Sequence, residues 1–249
     1  LELALDASAI LPPDLWNLLM SFGIMVRGEA GNLQVDESGS YSFFKQKGTV
    51  TTTVPFGTAN QGGKVNTYGD IVVTGCNSPI LAIRSNVCCS YSLISTSGST
   101  WTYRVYALGA AGQNTTGSVI TYYVFDIHPP ASSSQYGLRV YRPDGSIAFD
   151  SDHRVMSVKD FRIFGNANNA AETWAYSSPN LAFAMAAPGS FDVFTPTMET
   201  YSLIGARNNG NNIMVEPIVW RSTDVSGGPF LAITGQTSAG VLIVDVAGL

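Results

Sequence analysis

Asp150 and Asp152 stand two residues apart with His153 directly after them, the most suggestive grouping in the chain of side chains able to hold a cation or move a proton. On a strand, period two would put both carboxylates on one face, and their oxygens would suit a hard cation such as Ca²⁺. A related segment lies 114 residues earlier (Phe22 against Tyr136), and there only Asp36 and Ser38 occupy the same places. The preferred reading is a solvated strand end, with Asp36 and Asp150 each accepting hydrogen bonds from nearby backbone amides. No metal is assigned to either.

The other chemistry-bearing residues are sparse. Cys76, Cys88 and Cys89 are too few and too unevenly spaced for a disulfide framework. Adjacent strand residues point to opposite faces, so one of Cys88 and Cys89 is expected in the core as a small hydrophobe, and a bridge from Cys76 to either stays open. His128 and His153 show no ligand spacing with the cysteines, which disfavours zinc. The sequence has no Gly-x-Ser-x-Gly elbow, no His-Glu-x-x-His pair and no phosphate-binding glycine loop. No catalytic residue and no cofactor is assigned, and the chain is read as not an enzyme. Trp101, Tyr103, Tyr122 and Trp174 could serve as sugar platforms, but a β core also needs aromatics, and core or subunit interface is the preferred place for them. The loops 166–172 and 208–212 are better placed for adaptable polar recognition.

The elements that position these residues are read from a repeat. Phe22-Gly23-Ile24-Met25-Val26 leads into Gly31-Asn32-Leu33-Gln34-Val35-Asp36, and Tyr136-Gly137-Leu138-Arg139-Val140 leads into Gly145-Ser146-Ile147-Ala148-Phe149-Asp150, with no gap between the two registers. Each copy alternates apolar residues, turns, and alternates again, which predicts a β-hairpin. In the second copy Pro143-Asp144-Gly145 supplies the turn, proline fixing φ and glycine accepting a positive one. Gly31 keeps that place in the first copy. Gly23, Gly31 and Asp36, with Gly137, Gly145 and Asp150, are thus assigned as structural hairpin residues.

After each hairpin come short β-like runs: 48–55, 70–74, 80–84, 101–108 and 118–126, then 158–164, 181–185, 213–221, 230–233 and 241–246. Many short strands at turn spacing predict sandwiches. Ser78-Pro79-Ile80-Leu81-Ala82-Ile83 is echoed by Ser178-Pro179-Asn180-Leu181-Ala182-Phe183. His128-Pro129-Pro130 and the serines after it have linker composition. The expected organisation is all-β: a first β-sandwich domain over 20–127, a linker over 128–135 and a second β-sandwich domain over 136–249. Residues 1–19 read as a short helical segment broken at Pro12-Pro13. That segment is expected to be an apolar arm that docks on a neighbouring subunit, or else the product of a mis-assigned start with Met20 as the natural one. Glu2 and Asp6 stand where a secretory signal would carry basic residues.

Composition narrows the setting. Charged residues make up 12% of the 249, so Ser, Thr, Asn and Gly must supply the polar surface, as suits a large assembly or an extracellular site. The net charge of −5, with Lys and Arg scattered singly, offers no basic stripe for nucleic acid. No apolar run approaches the roughly 20 residues needed to span a bilayer, and membrane insertion is not expected.

The hairpin of the form aromatic-Gly-Leu-x-Val, Gly, then Phe-Asp-Ser, carried by residues 136–151 after Tyr122-Tyr123-Val124-Phe125-Asp126, resembles small minor tail or tail-tip proteins of siphophages. Trp101-Thr102-Tyr103-Arg104-Val105-Tyr106 is similar to their recurrent Trp-x-Tyr-x-Val strand. The first hairpin departs from the pattern, with Val35-Asp36-Glu37 in place of Phe-Asp-Ser. The resemblance implies a structural virion component of the tail tip, baseplate or fibre region, assembled in the host cytoplasm. It implies a homo-oligomer, trimer favoured, with other phage tail proteins and a bacterial surface receptor as partners. A carbohydrate-binding or adhesin module is the alternative, and a glycan depolymerase a more distant one.

Overall fold

The computed structural model describes residues 26–27, 33–35, 41–56, 65–109, 113–130, 137–165, 171–187, 190–194, 198–224, 232–234 and 238–249. The expected helical segment 1–19 lies outside them, as do Gly23, Gly31 and Asp36. The described residues contain no helix; every element is a strand. In chain order these are β1 (Val26–Arg27), β2 (Leu33–Val35), β3 (Phe43–Thr52), β4 (Val54–Phe56), β5 (Asn66–Val73), β6 (Ile80–Arg84), β7 (Cys88–Ser97), β8 (Thr100–Leu108), β9 (Ser118–Asp126) and β10 (Arg139–Tyr141). There follow β11 (Ile147–Asp150), β12 (Ser157–Phe164), β13 (Glu172–Ala175), β14 (Leu181–Ala187), β15 (Ser190–Phe194), β16 (Met198–Asn209), β17 (Asn212–Asp224), β18 (Ala232–Thr234) and β19 (Ala239–Asp245).

The chain divides into two compact units. One takes in Asp126–Val155 with the chain up to Phe44; the other takes in Lys45–Phe125 and Met156–Leu249. The first unit contains the hairpins β1–β2 and β10–β11. Val26 pairs with Val35 and Arg27 with Leu33, with a register shift between Val26 and Arg27. The corresponding residues 114 positions later do the same: Val140 pairs with Phe149 and Tyr141 with Ile147, with the shift between Val140 and Tyr141. A bulge at the same step of both hairpins increases the local twist in the same way.

The second unit is sandwich-like. A six-stranded sheet runs β12-β19-β14-β6-β9-β3, and a larger sheet runs β13-β17-β16-β7-β8-β5-β4, with β15 beside β16 and β18 beside β15. Strict alternation puts Tyr103, Val105 and Ala107 of β8 inward while Thr102, Arg104 and Tyr106 stay half-exposed. These residues join one core drawn from both sheets, with Leu81, Ile83, Phe164, Phe183, Val241 and Ile243 from the six-stranded side and Ile71, Ile204, Ile213 and Val215 from the other.

This arrangement corrects the expected pair of separate sandwiches. Strands from both sides of residues 128–135 share each sheet: β14 pairs with β6 through Phe183 and Ile83, and β16 pairs with β7 through Ala206 and Cys89. The physical reason is the edge of a sheet, whose unpaired backbone groups favour another strand; joining the halves covers two edges in each sheet. From the junction outward the orders are β6-β9-β3 and β14-β19-β12 in one sheet, β7-β8-β5 and β16-β17-β13 in the other. Ile83 and Phe183, which meet at the junction, are also the matching last residues of the two Ser-Pro echoes.

Candidate functional site

The turn after β11 is where the sequence put its most suggestive carboxylates, and the fold separates them. The chain leaves the strand at Asp150 and turns through Ser151 and Asp152, so the period-two argument that would place both on one face does not apply. The Asp150 side chain is 2% exposed and pairs with Arg139 at 2.9 Å, whereas Asp152 is exposed. Asp150 Oδ1 accepts the Asp152 amide at 2.9 Å. Burial opposes ionisation of Asp150, but the Asp152 amide and the Arg139 guanidinium outweigh it and hold the carboxyl below its ordinary value. His153 packs its ring edge-on against Phe43, 6.5 Å between centroids, and its Nε2 is buried without a hydrogen-bond partner. Among the described residues no three His, Cys, Asp or Glu side chains cluster as a metal site would need.

The hairpin glycines have local causes. Gly145 ends a turn in which its amide donates to Arg142 O at 2.9 Å, with Pro143 at the second position, and its φ of 81° is open to glycine at little cost. Gly137 adopts φ 131°, and a Cβ there would lie 2.8 Å from Ser151 Oγ, the atom that accepts the Leu138 amide.

Cysteines and aromatics are structural in placement. Cys76, Cys88 and Cys89 are buried thiols outside any disulfide, so the Cys76 bridge does not form. Both members of the adjacent pair are core residues: Cys89 joins the main core, and Cys88 packs on the opposite face with Leu108 and Ile218. Burial pushes the Cys89 thiol up to about 12. Tyr103 belongs to the core, and Trp101, Tyr122 and Trp174 pack against it. Trp101 Nε1 donates to Cys76 O and Trp174 Nε1 to Glu172 Oε2, each at 3.1 Å. In the stretch 208–212 Asn209, Gly210 and Asn211 are exposed at the turn between β16 and β17, whereas Asn208 is a structural tie. Asn208 is buried, accepts the Ser85 amide at 3.1 Å and donates to Leu181 O at 2.9 Å. Of the other expected loop, residues 166–170 lie outside the described residues.

Among the described residues of the second unit, two hollows stand out. The first is a cleft of about 290 Å³ where β6 and β14 part company, lined by Ile80, Leu81, Ala184, Met185 and Leu242 over Tyr91 and Tyr103. Continuing the Phe183–Ile83 register would set Met185 opposite Leu81. Instead the Tyr91 hydroxyl stands between them, accepting the Met185 amide at 3.0 Å and donating to Leu81 O at 2.5 Å. A side chain of the opposite sheet thus replaces one rung of the ladder. Burial raises the Tyr91 phenol above its ordinary value and keeps it a donor. Tyr103 donates to Pro79 O at 3.0 Å and holds the chain just before β6, at the same end.

The second hollow, about 340 Å³, is polar and lined by Lys47, Arg84, Ser85, Asn86, Thr121 and Tyr123 among others. Lys47 Nζ donates to Leu249 O at 2.9 Å and lies 5.3 Å above the Tyr123 ring. Arg84 donates to Pro179 O at 3.0 Å. Sequence reasoning named neither hollow, because strands far apart in sequence supply each one.

No family model, no curated protein and no solved structure matches the chain. No helix among the described residues is long and apolar enough to cross a membrane.

Proposed function

We propose that the chain is a structural virion component of a tailed bacteriophage, built into the tail tip, baseplate or fibre region, assembled in the host cytoplasm and contributing to attachment at the bacterial surface. The observation that carries this reading is the repeated plan. The hairpin that in its second copy resembles siphophage tail proteins occurs twice with one register and one bulge, and after each copy six strands keep the same order, β4, β15 and β18 being the additions. The two halves are read as copies of one unit fused at an edge. A duplicated β scaffold with few charges suits a part whose work is to present surfaces to neighbours, and tail symmetry favours a homo-oligomer, a trimer first.

The test is solution mass by size-exclusion chromatography with light scattering, on the full sequence and on a version beginning at Met20. The expected result is a closed oligomer for the full chain, with loss of that state in the shorter one if residues 1–19 are the docking arm. Monomers from both would remove the ring and favour a binding module.

A further inference from the structure

The outer edge of the six-stranded sheet is unlike its counterpart. In the two sheet orders β12 and β3 hold matching places at opposite ends. β3 presents Lys47, Thr49 and Thr51 to solvent, the charge and polarity by which edge strands normally repel one another. β12 instead exposes Val158 by 49%, Phe161 by 52% and Ile163 by 67%. Three large apolar side chains exposed on one eight-residue edge strand mark a surface awaiting a partner.

We infer that β12 pairs antiparallel with β12 of a second copy, on a twofold axis through Phe161. The order Asp160-Phe161-Arg162 is self-complementary in that register: Phe161 meets Phe161 of the second copy, and Asp160 lies opposite Arg162 of the second copy. Within one chain these two already form a pair, Arg162 Nε to Asp160 Oδ2 at 2.6 Å, so the axis would close a ring of four alternating charges. The neighbouring registers place Asp160 against itself or Lys159 against Arg162. The Phe161 amide donates to Asp160 Oδ1 of its own strand at 2.9 Å, a bond that pairing with a second copy would exchange for one across the axis. A head-to-tail contact with β3 is disfavoured, since β3 brings Lys45 and Lys47 and no carboxylate to face Lys159 and Arg162. An isologous contact joins chains in pairs, giving a dimer, or six chains where it links two trimeric rings.

The test uses the full chain. Phe161→Cys places two thiols on the axis, where Cα atoms of a hydrogen-bonded antiparallel pair lie about 5.5 Å apart, within disulfide reach; the three native cysteines are buried and do not compete. Mild oxidation is expected to convert most of this variant to a covalent dimer on non-reducing gels. Asp160→Arg is expected to halve the light-scattering mass and the double variant Asp160→Arg with Arg162→Asp to restore it. No covalent dimer, together with a mass unchanged by the single swap, overturns the contact. A dimer without any ring would leave this contact standing while removing the axial ring proposed above.

Discussion

Asp150 shows how one residue's environment decides its role. A carboxylate at the end of a hairpin strand could have been a cation ligand; an adjacent amide, a guanidinium and near-complete burial make it a structural anchor. In the first copy the position of Arg139 is taken by Met25, so this ion pair belongs to the second hairpin alone. Replacing Asp150 by Ala leaves the Asp152 amide without its acceptor and is expected to cost about 1–3 kcal/mol. The loss should register as faster hydrogen exchange at Asp152. Because the folded-state carboxyl titrates below its unfolded value of about 3.9, its contribution is present in full above that pH and disappears as the pH falls through the folded value. Asp150→Asn should therefore flatten the acid limb of the hairpin's stability below about pH 4; an unchanged acid limb would place the titrating group elsewhere.

At the scale of the element, the informative strands are those the sequence pattern concealed. β7 begins Cys88-Cys89-Ser90-Tyr91 and ends in Ser and Thr, with no apolar alternation strong enough to announce it, and β16 was missed for the same want of pattern. Yet β7 supplies the Tyr91 hydroxyl that stands in the β6–β14 ladder. Tyr91→Phe removes that bridge and strands the Met185 amide and Leu81 carbonyl in an apolar surround. A loss of about 1–3 kcal/mol is expected, read as a lower denaturant midpoint at unchanged slope. A neutral result would mean that the two strands close directly on each other once the hydroxyl is gone. Strands such as β6 and β9 were legible to the residue, because turn residues bound each and apolar side chains fill it.

At the scale of the molecule, two halves of the chain are completed by each other. Their shared core mixes Phe164, Phe183 and Ile243 from after the linker with Ile71, Leu81 and Val105 from before it. Residues 20–127 and 136–249 produced separately would each expose an open edge in both sheets and half a core. Neither is expected to give a dispersed NMR spectrum alone, and mixing should restore one. Two independently folded halves would return the protein to a tandem pair of domains.

The sequence by itself determined the local grammar: an all-β chain, a hairpin used twice, the glycine and proline turn of the second copy, and most strand positions. Those features follow from alternation and turn chemistry within a dozen residues, where neighbours along the chain are also neighbours in space. Only the tertiary structure decided that the halves merge into common sheets, that both adjacent cysteines are buried, that Asn208 is a buried tie between strands, and that β12 is left with an apolar edge. Each of these depends on pairing between strands far apart in sequence, and many pairings satisfy the same alternation. What selects among them is the joint burial of edges and side chains, a property of the assembled sheets that no short stretch of the chain encodes.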